Sequence, residues 1–142
     1  MTETDLLRSL AEAEHAAVYG YGVLGARLDL AARRNALAAY DAHRARRDLV
    51  VAALQARQVP VPVPLPAYDV TVAGRPDALA LAVRLEEGLS QRWRDLVGGT
   101  DNRALRQLGV AGLQETAVRA AQWRRLAGSQ PVTVPLPGIC PC

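Results

Sequence analysis

Apolar residues recur three and four positions apart over four long stretches of the chain, the spacing of one helix face rather than of a strand. The first stretch predicts a helix over about 5–28, with Leu7, Leu10, Glu14, Ala17, Tyr21, Leu24 and Leu28 along one side. The second runs over about 30–57 and sets Leu37, Tyr40, His43, Val50 and Leu54 near one face. A third, over 76–97, carries Leu79, Ala82, Glu86, Leu89, Trp93 and Leu96. The fourth, over 102–127, carries Leu105, Gly109, Leu113, Thr116, Ala120 and Trp123.

The breaks between these stretches decide how they connect. Helices one and two follow each other so closely that they must be antiparallel neighbours. Gly98-Gly99-Thr100-Asp101 breaks the third helix and caps the fourth, and Gly128 ends the fourth. Between the two hairpins lies Val59-Pro60-Val61-Pro62-Val63-Pro64-Leu65-Pro66, whose alternate prolines forbid helix and favour an extended path through a connection covering 58–75. Its P-x-P spacing differs from the P-x-x-P of ligands for small recognition domains, so it reads as a strap along the bundle. Two hairpins joined by one long crossover make an all-α, ferritin-like four-helix bundle, one domain over 1–142 with a tail at 128–142.

Composition agrees with helix: half the residues are apolar, chiefly Ala, Leu and Val, with no Phe and only Ile139 as isoleucine. The net charge is +3 and every basic residue is Arg, a bias expected of a GC-rich bacterial genome. Such a balance allows an acidic partner without requiring one. Neither a signal peptide nor a membrane-spanning run is recognisable, which predicts a cytoplasmic protein without membrane contact. Cys140 and Cys142 are the only cysteines, and a Cys-Pro-Cys end reads as a disordered tail before it reads as a soft-metal site or a link between chains.

Candidate chemistry rests on polar residues at seam positions. Glu14 and Glu86 stand where leucine belongs, and His43 lies close to the seam of the second helix. Glu14 lies about 15 residues before the first hairpin turn, His43 about 14 after it, and Glu86 about 13 before the second turn. At ~1.5 Å per residue, all three meet near mid-bundle. Ferritin-like di-metal proteins draw a Glu from each of two helices and Glu-x-x-His from each of the others. Glu14 and Glu86 match the lone glutamates; Tyr40-Asp-Ala-His43 keeps the His but not the Glu, and Glu115-Thr-Ala-Val118 lacks the His and turns toward solvent. A single iron or manganese ion on Glu14, His43 and Glu86 is the metal reading. The preferred one is a metal-free buried cluster, with Arg47 pairing a carboxylate and Tyr21 and Tyr40 adding hydrogen bonds.

Other features read as structural. His15 points about 100° away from Glu14, onto a flank. Gly20, Gly22 and Gly25 read as small residues for close helix packing. Arg33-Arg34, Arg44, Arg46, Arg47 and Arg124-Arg125 are interspersed with Asp41, Asp48, Glu87 and Asp95, which favours a solvated surface over a nucleic-acid interface. No Ser/His/Asp grouping marks a nucleophile, and no residue is assigned a catalytic role.

At Glu14-His-Ala-Ala-Val-Tyr-Gly-Tyr-Gly22, His43-Arg-Ala-Arg-Arg-Asp48, Leu81-Ala-Val-Arg-Leu-Glu86 and the closing Pro137-Gly138, the chain resembles a bacterial family of ferritin-like domains of unknown function. The resemblance covers nearly the whole chain and implies a self-associating bundle with no established activity. The expectation is therefore a non-enzymatic structural or interaction module, a homodimer with an unknown protein partner and a degenerate di-metal site. The alternative is an iron- or manganese-binding protein or redox enzyme acting at mid-bundle.

Overall fold

Helices start here where a side chain can take up the orphan amides of the first turn. In a computed structural model describing residues 1–139, Thr2 caps α1 (Glu3–Leu24): its hydroxyl accepts from the Asp5 amide, and the Asp5 carboxylate accepts from the Thr2 amide. This capping box starts the helix two residues before the apolar periodicity does. Asp29 and Asn102 cap α2 (Leu30–Ala56) and α4 (Arg103–Ala127) in the same manner, by accepting from Ala32 and Leu105. Pro76 sits in the first turn of α3 (Arg75–Gly99), where its missing N–H costs nothing. At its C-terminus α4 is closed by Gly128 at φ 71°, a left-handed cap that returns its amide to Arg124 and Arg125. Residues 140–142, and with them the expectations attached to Cys140 and Cys142, lie outside the described residues.

The first helix gives way at Leu24, four residues short of its predicted end. A 3-10 turn, Gly25–Arg27, tightens the corner, and Arg33 ties it shut by donating to the Gly25 and Leu28 carbonyls. Contacts at the helix ends then fix the topology. Arg57, just past α2, pairs with Glu3 at the start of α1. Thr100, just past α3, donates to the same Glu3. Arg75, at the start of α3, reaches Asp29 at the start of α2. So α1 is antiparallel to both α2 and α3, α2 and α3 run parallel, and the crossover travels the bundle's length. It lies along α1 as a strap: the His15 Nε2–H donates to the Pro62 carbonyl at 3.2 Å, and Tyr68 packs on Tyr19. The result is a four-helix bundle made of two antiparallel hairpins, and no strand occurs among the described residues.

Two apolar clusters fill it. One gathers Tyr21, Leu24, Leu28, Ala36, Leu79 and Trp123; the other gathers Leu7, Leu10, Val50, Leu54, Trp93 and Leu96. His43 and Glu86 fall between them on α2 and α3, and Glu14 lies within the second cluster on α1, between Ala11 and Ala17. The seam of α2 differs from its predicted one: Leu37 is 60% exposed, and Ala32, Ala36 and Ala39 take the inner positions. Leu37 stands one residue, about 100° around the helix, from Ala36, so it turns outward while the alanines face the core. Among the described residues no helix is long and apolar enough to cross a membrane.

Glycines set the closest approach of α3 to α4. A Cβ on Gly112 would overlap the ring of the fully buried Trp93, whereas a Cβ on Gly22 would meet nothing within 4 Å. Gly112→Ala is expected to lose about 1–2 kcal/mol, because forcing the indole aside outweighs the gain of about 1 kcal/mol in helix propensity. Gly22→Ala keeps that gain and should be stabilising. Urea midpoints of the two variants check the pair; a stabilised Gly112→Ala would mean that α4 shifts freely against Trp93.

Candidate functional site

The seam residues of three helices meet in one hydrogen-bonded cluster. Glu14 on α1, His43 on α2 and Glu86 on α3 are each fully buried. The His43 ring lies between the two carboxylates, with Nδ1 2.8 Å from Glu14 Oε2 and Nε2 2.8 Å from Glu86 Oε1. With both glutamates ionised they only accept, so both ring nitrogens donate and His43 is an imidazolium, in line with a pKa raised to about 9 by those hydrogen bonds. Glu86 Oε1 also accepts from the Tyr21 hydroxyl at 2.6 Å and from Arg119 Nε at 3.1 Å. Tyr21 in turn accepts from the Trp123 indole N–H at 2.8 Å. One turn along, Ser90 and Thr116 close a second buried polar pair between α3 and α4.

Electrostatics explain how two carboxylates survive in a dry core. Two anions face two cations, the His43 imidazolium and the Arg119 guanidinium, so the cluster is formally neutral. Burial alone would push the His43 pKa down; the hydrogen bonds to Glu14 and Glu86 outweigh it and raise the value from 6.5 to about 9. Glu14 is raised above the ordinary carboxylate range by burial, with the His43 hydrogen bond opposing. Tyr21 is pushed well up by burial and by the Glu86 charge, so its hydroxyl keeps its proton. Three buried polar atoms of the cluster find no protein partner: Glu14 Oε1, Glu86 Oε2 and Arg119 Nη2.

Expectation and structure part company over who completes the cluster. Arg47 does not reach it. Although Arg47 lies one turn from His43 on α2, its guanidinium pairs instead with the exposed Asp48 beside it. Tyr40 is also outside; its half-buried ring carries the Arg44 guanidinium 5.6 Å above it. Glu115, on the outer side of α4, is 40% exposed and holds Arg46 of α2. The cation that the sequence pattern does not reveal is Arg119. It sits on the flank of α4, and helical side chains lean toward the N-terminus, so its long arm reaches back to the level of Glu86. Trp123, a core residue by its spacing, also serves as a donor.

An iron or manganese ion on Glu14, His43 and Glu86 would need a lone pair from the imidazole. Here both ring nitrogens carry protons toward the carboxylates, and Arg119 adds a further positive charge beside Glu86. Among the described residues no group of three or more His, Cys, Asp or Glu is disposed to hold an ion. An ion on His43 and the bridging imidazolium therefore exclude each other, and binding the one means releasing the protons of the other.

Similar folds share this architecture. A conserved hypothetical protein from Mycobacterium tuberculosis, rv2844, has a crystal structure that superposes with a TM-score of 0.84 at 32% identity, over 87% of this chain and 96% of that one. A hypothetical protein from Methanococcus jannaschii, MJ0754, matches in fold alone, with a TM-score of 0.75 at 17% identity, over 96% of this chain and 86% of that one. No curated protein of known role is significantly similar to the chain. A family pattern described as a domain of unknown function, DUF4439, matches residues 7–141, and with that match over nearly its whole length the chain belongs to this family.

Proposed function

We propose that this protein is a non-enzymatic structural or interaction module, a ferritin-like bundle whose metal charge has been replaced by side-chain charge. The observation that carries this reading is the His43 bridge between Glu14 and Glu86, completed by Arg119. A metal-bearing bundle sets cations between its inner carboxylates; here an imidazolium and a guanidinium supply that charge. Nothing in the cluster has the form of a nucleophile with its base: His43 gives both ring nitrogens to carboxylates, and the Tyr21 hydroxyl donates to Glu86. The arginines speak against a nucleic-acid face: Arg46, Arg47, Arg57, Arg94 and Arg124 all sit on acidic partners. Self-association as a homodimer is supported by Leu30 and Leu37, two exposed leucines one heptad apart on α2.

Native mass spectrometry of the chain, purified without chelator and challenged with iron and manganese, reads metal content and chain number together. The expected spectrum is a dimer without stoichiometric metal. A spectrum with an ion on every chain, lost on Glu14→Ala, would instead make this an iron or manganese protein and call for oxidase assays. Monomer at every concentration would remove the dimer while leaving the cluster reading intact.

A further inference from the structure

Past Gly128 the chain doubles back over α3 and α4, and it is fastened there at two points. At the first, the nearly buried Arg124 donates to the Val132 carbonyl at 3.2 Å and to Glu87 of α3 at 2.6 Å. At the second, Gly138 (φ 82°) lies so close to α3 that a Cβ on it would fall 2.6 Å from the Ser90 carbonyl oxygen. Between the fastenings, Val134, Pro137 and Ile139 of the tail and Ala117, Ala120 and Ala121 of α4 line a cavity of about 380 Å³. We propose that this cavity binds a small neutral ligand, a hydrocarbon body with one hydroxyl-type polar end.

Small residues make the space. Packed interiors leave few voids larger than a water molecule, so a tail that only covered the helices would settle onto them. Here three alanines set the wall of α4 back, and the two fastenings keep the tail from following. The volume falls within the ~300–1,000 Å³ of small-molecule pockets. Exposed Val118 and Ile139 lie on its walls, so a ligand can enter from solvent. Charge sets the ligand class. Glu87 and Arg124 both border the cavity, but they are paired with each other, and neither is left as a lone counter-charge. A charged ligand would give up hydration and gain no ion pair in return. The apolar walls suit a hydrocarbon body, and the exposed Gln91 and Thr133 stand at the rim to meet its polar end. The site shares no residue with the buried Glu14–His43–Glu86 cluster and is independent of the structural reading above.

The probe is 2-naphthol, a phenol that stays uncharged at about pH 7. Ile139 is the reporter: as the only isoleucine it gives a single δ1-methyl NMR signal, from the wall of the cavity. Titrating 2-naphthol into the full chain, with thiols kept reduced, is expected to shift that signal saturably, with a dissociation constant on the order of 0.1–1 mM. The anion 2-naphthoate, built on the same rings, should bind about tenfold more weakly. Ala121→Phe fills the cavity and should abolish the saturable shift while helicity is unchanged. Gly138→Ala should lift the tail, because alanine is strained at this positive φ and its Cβ meets the Ser90 carbonyl, and should weaken binding about tenfold or more. Should Ala121→Phe fail to fold, Gly138→Ala decides alone. Shifts that grow linearly with 2-naphthol, equal affinity for 2-naphthoate, or unaltered binding in the folded variants would overturn the proposal.

Discussion

Replacing Glu86 with alanine is expected to cost about 3–5 kcal/mol of unfolding free energy. The reason is the number of donors that converge on one carboxylate oxygen: Tyr21, His43 and Arg119 all point at Oε1. Removing the anion leaves the guanidinium and the imidazolium facing each other in a core that excludes water, and a stranded charge costs far more than a lost contact. A cavity adds to the loss, so Glu86→Gln, which keeps the volume and removes only the charge, should fall between wild type and alanine. For a domain whose total stability is on the order of 5–15 kcal/mol, the alanine variant approaches the edge of folding. Urea titration followed by circular dichroism gives the values. Gln and Ala variants that both unfold within about 1 kcal/mol of wild type would mean that the cluster carries little charge.

Much of this cluster is legible in the amino-acid sequence. A glutamate in a leucine position is a physical anomaly, and equal distances from the hairpin turns place Glu14, His43 and Glu86 at one depth. The same logic does not supply Arg119. Its Cα lies off the apolar stripe, and only the reach and lean of an arginine bring its head to Glu86. A signal is present all the same: with two seam acids and one histidine, a second cation is required somewhere, and Arg119 stands on the flank of α4. Arg47 is the nearer candidate by helical spacing, but Asp48 offers it a partner in water at no desolvation cost. Leu37 shows the converse limit, since periodicity counts it as core while the alanines at 32, 36 and 39 are the residues buried on that face. The gap between α2 and α4, which hardly touch, leaves no trace in the pattern, because spacing along each helix says nothing of how far apart two helices stand.

A second large effect is expected from pH alone. Stability should fall by about 3 kcal/mol as pH rises from 6.5 to about 9, the span between the ordinary and the folded pKa of His43, at about 1.36 kcal/mol per unit. Below the lower value the ring is protonated folded or unfolded, and its stabilising contribution is complete. Between the two values the folded chain holds a proton that the unfolded chain has released, so each rise in pH favours unfolding. By about 9 the contribution is gone. Tyr21, packed against the ring, leaves this window clear, because its value is raised well above the usual one. Glu14, raised by burial, acts in the same direction from the ordinary carboxylate value upward. The lowered acids Glu3, Asp5 and Glu115 act in the opposite direction, but their contributions are complete once pH exceeds the ordinary carboxylate range. Urea midpoints at several pH values, for wild type and His43→Gln, isolate the effect: wild type should slope downward and the variant should lie flat. The metal reading predicts the opposite sign, since an ion on a neutral imidazole competes with protons and gains as pH rises. A wild-type profile that rises toward pH 9 with iron or manganese present would therefore replace the imidazolium bridge with a metal one, whereas a downward slope that survives in His43→Gln would move the titrating group out of the cluster.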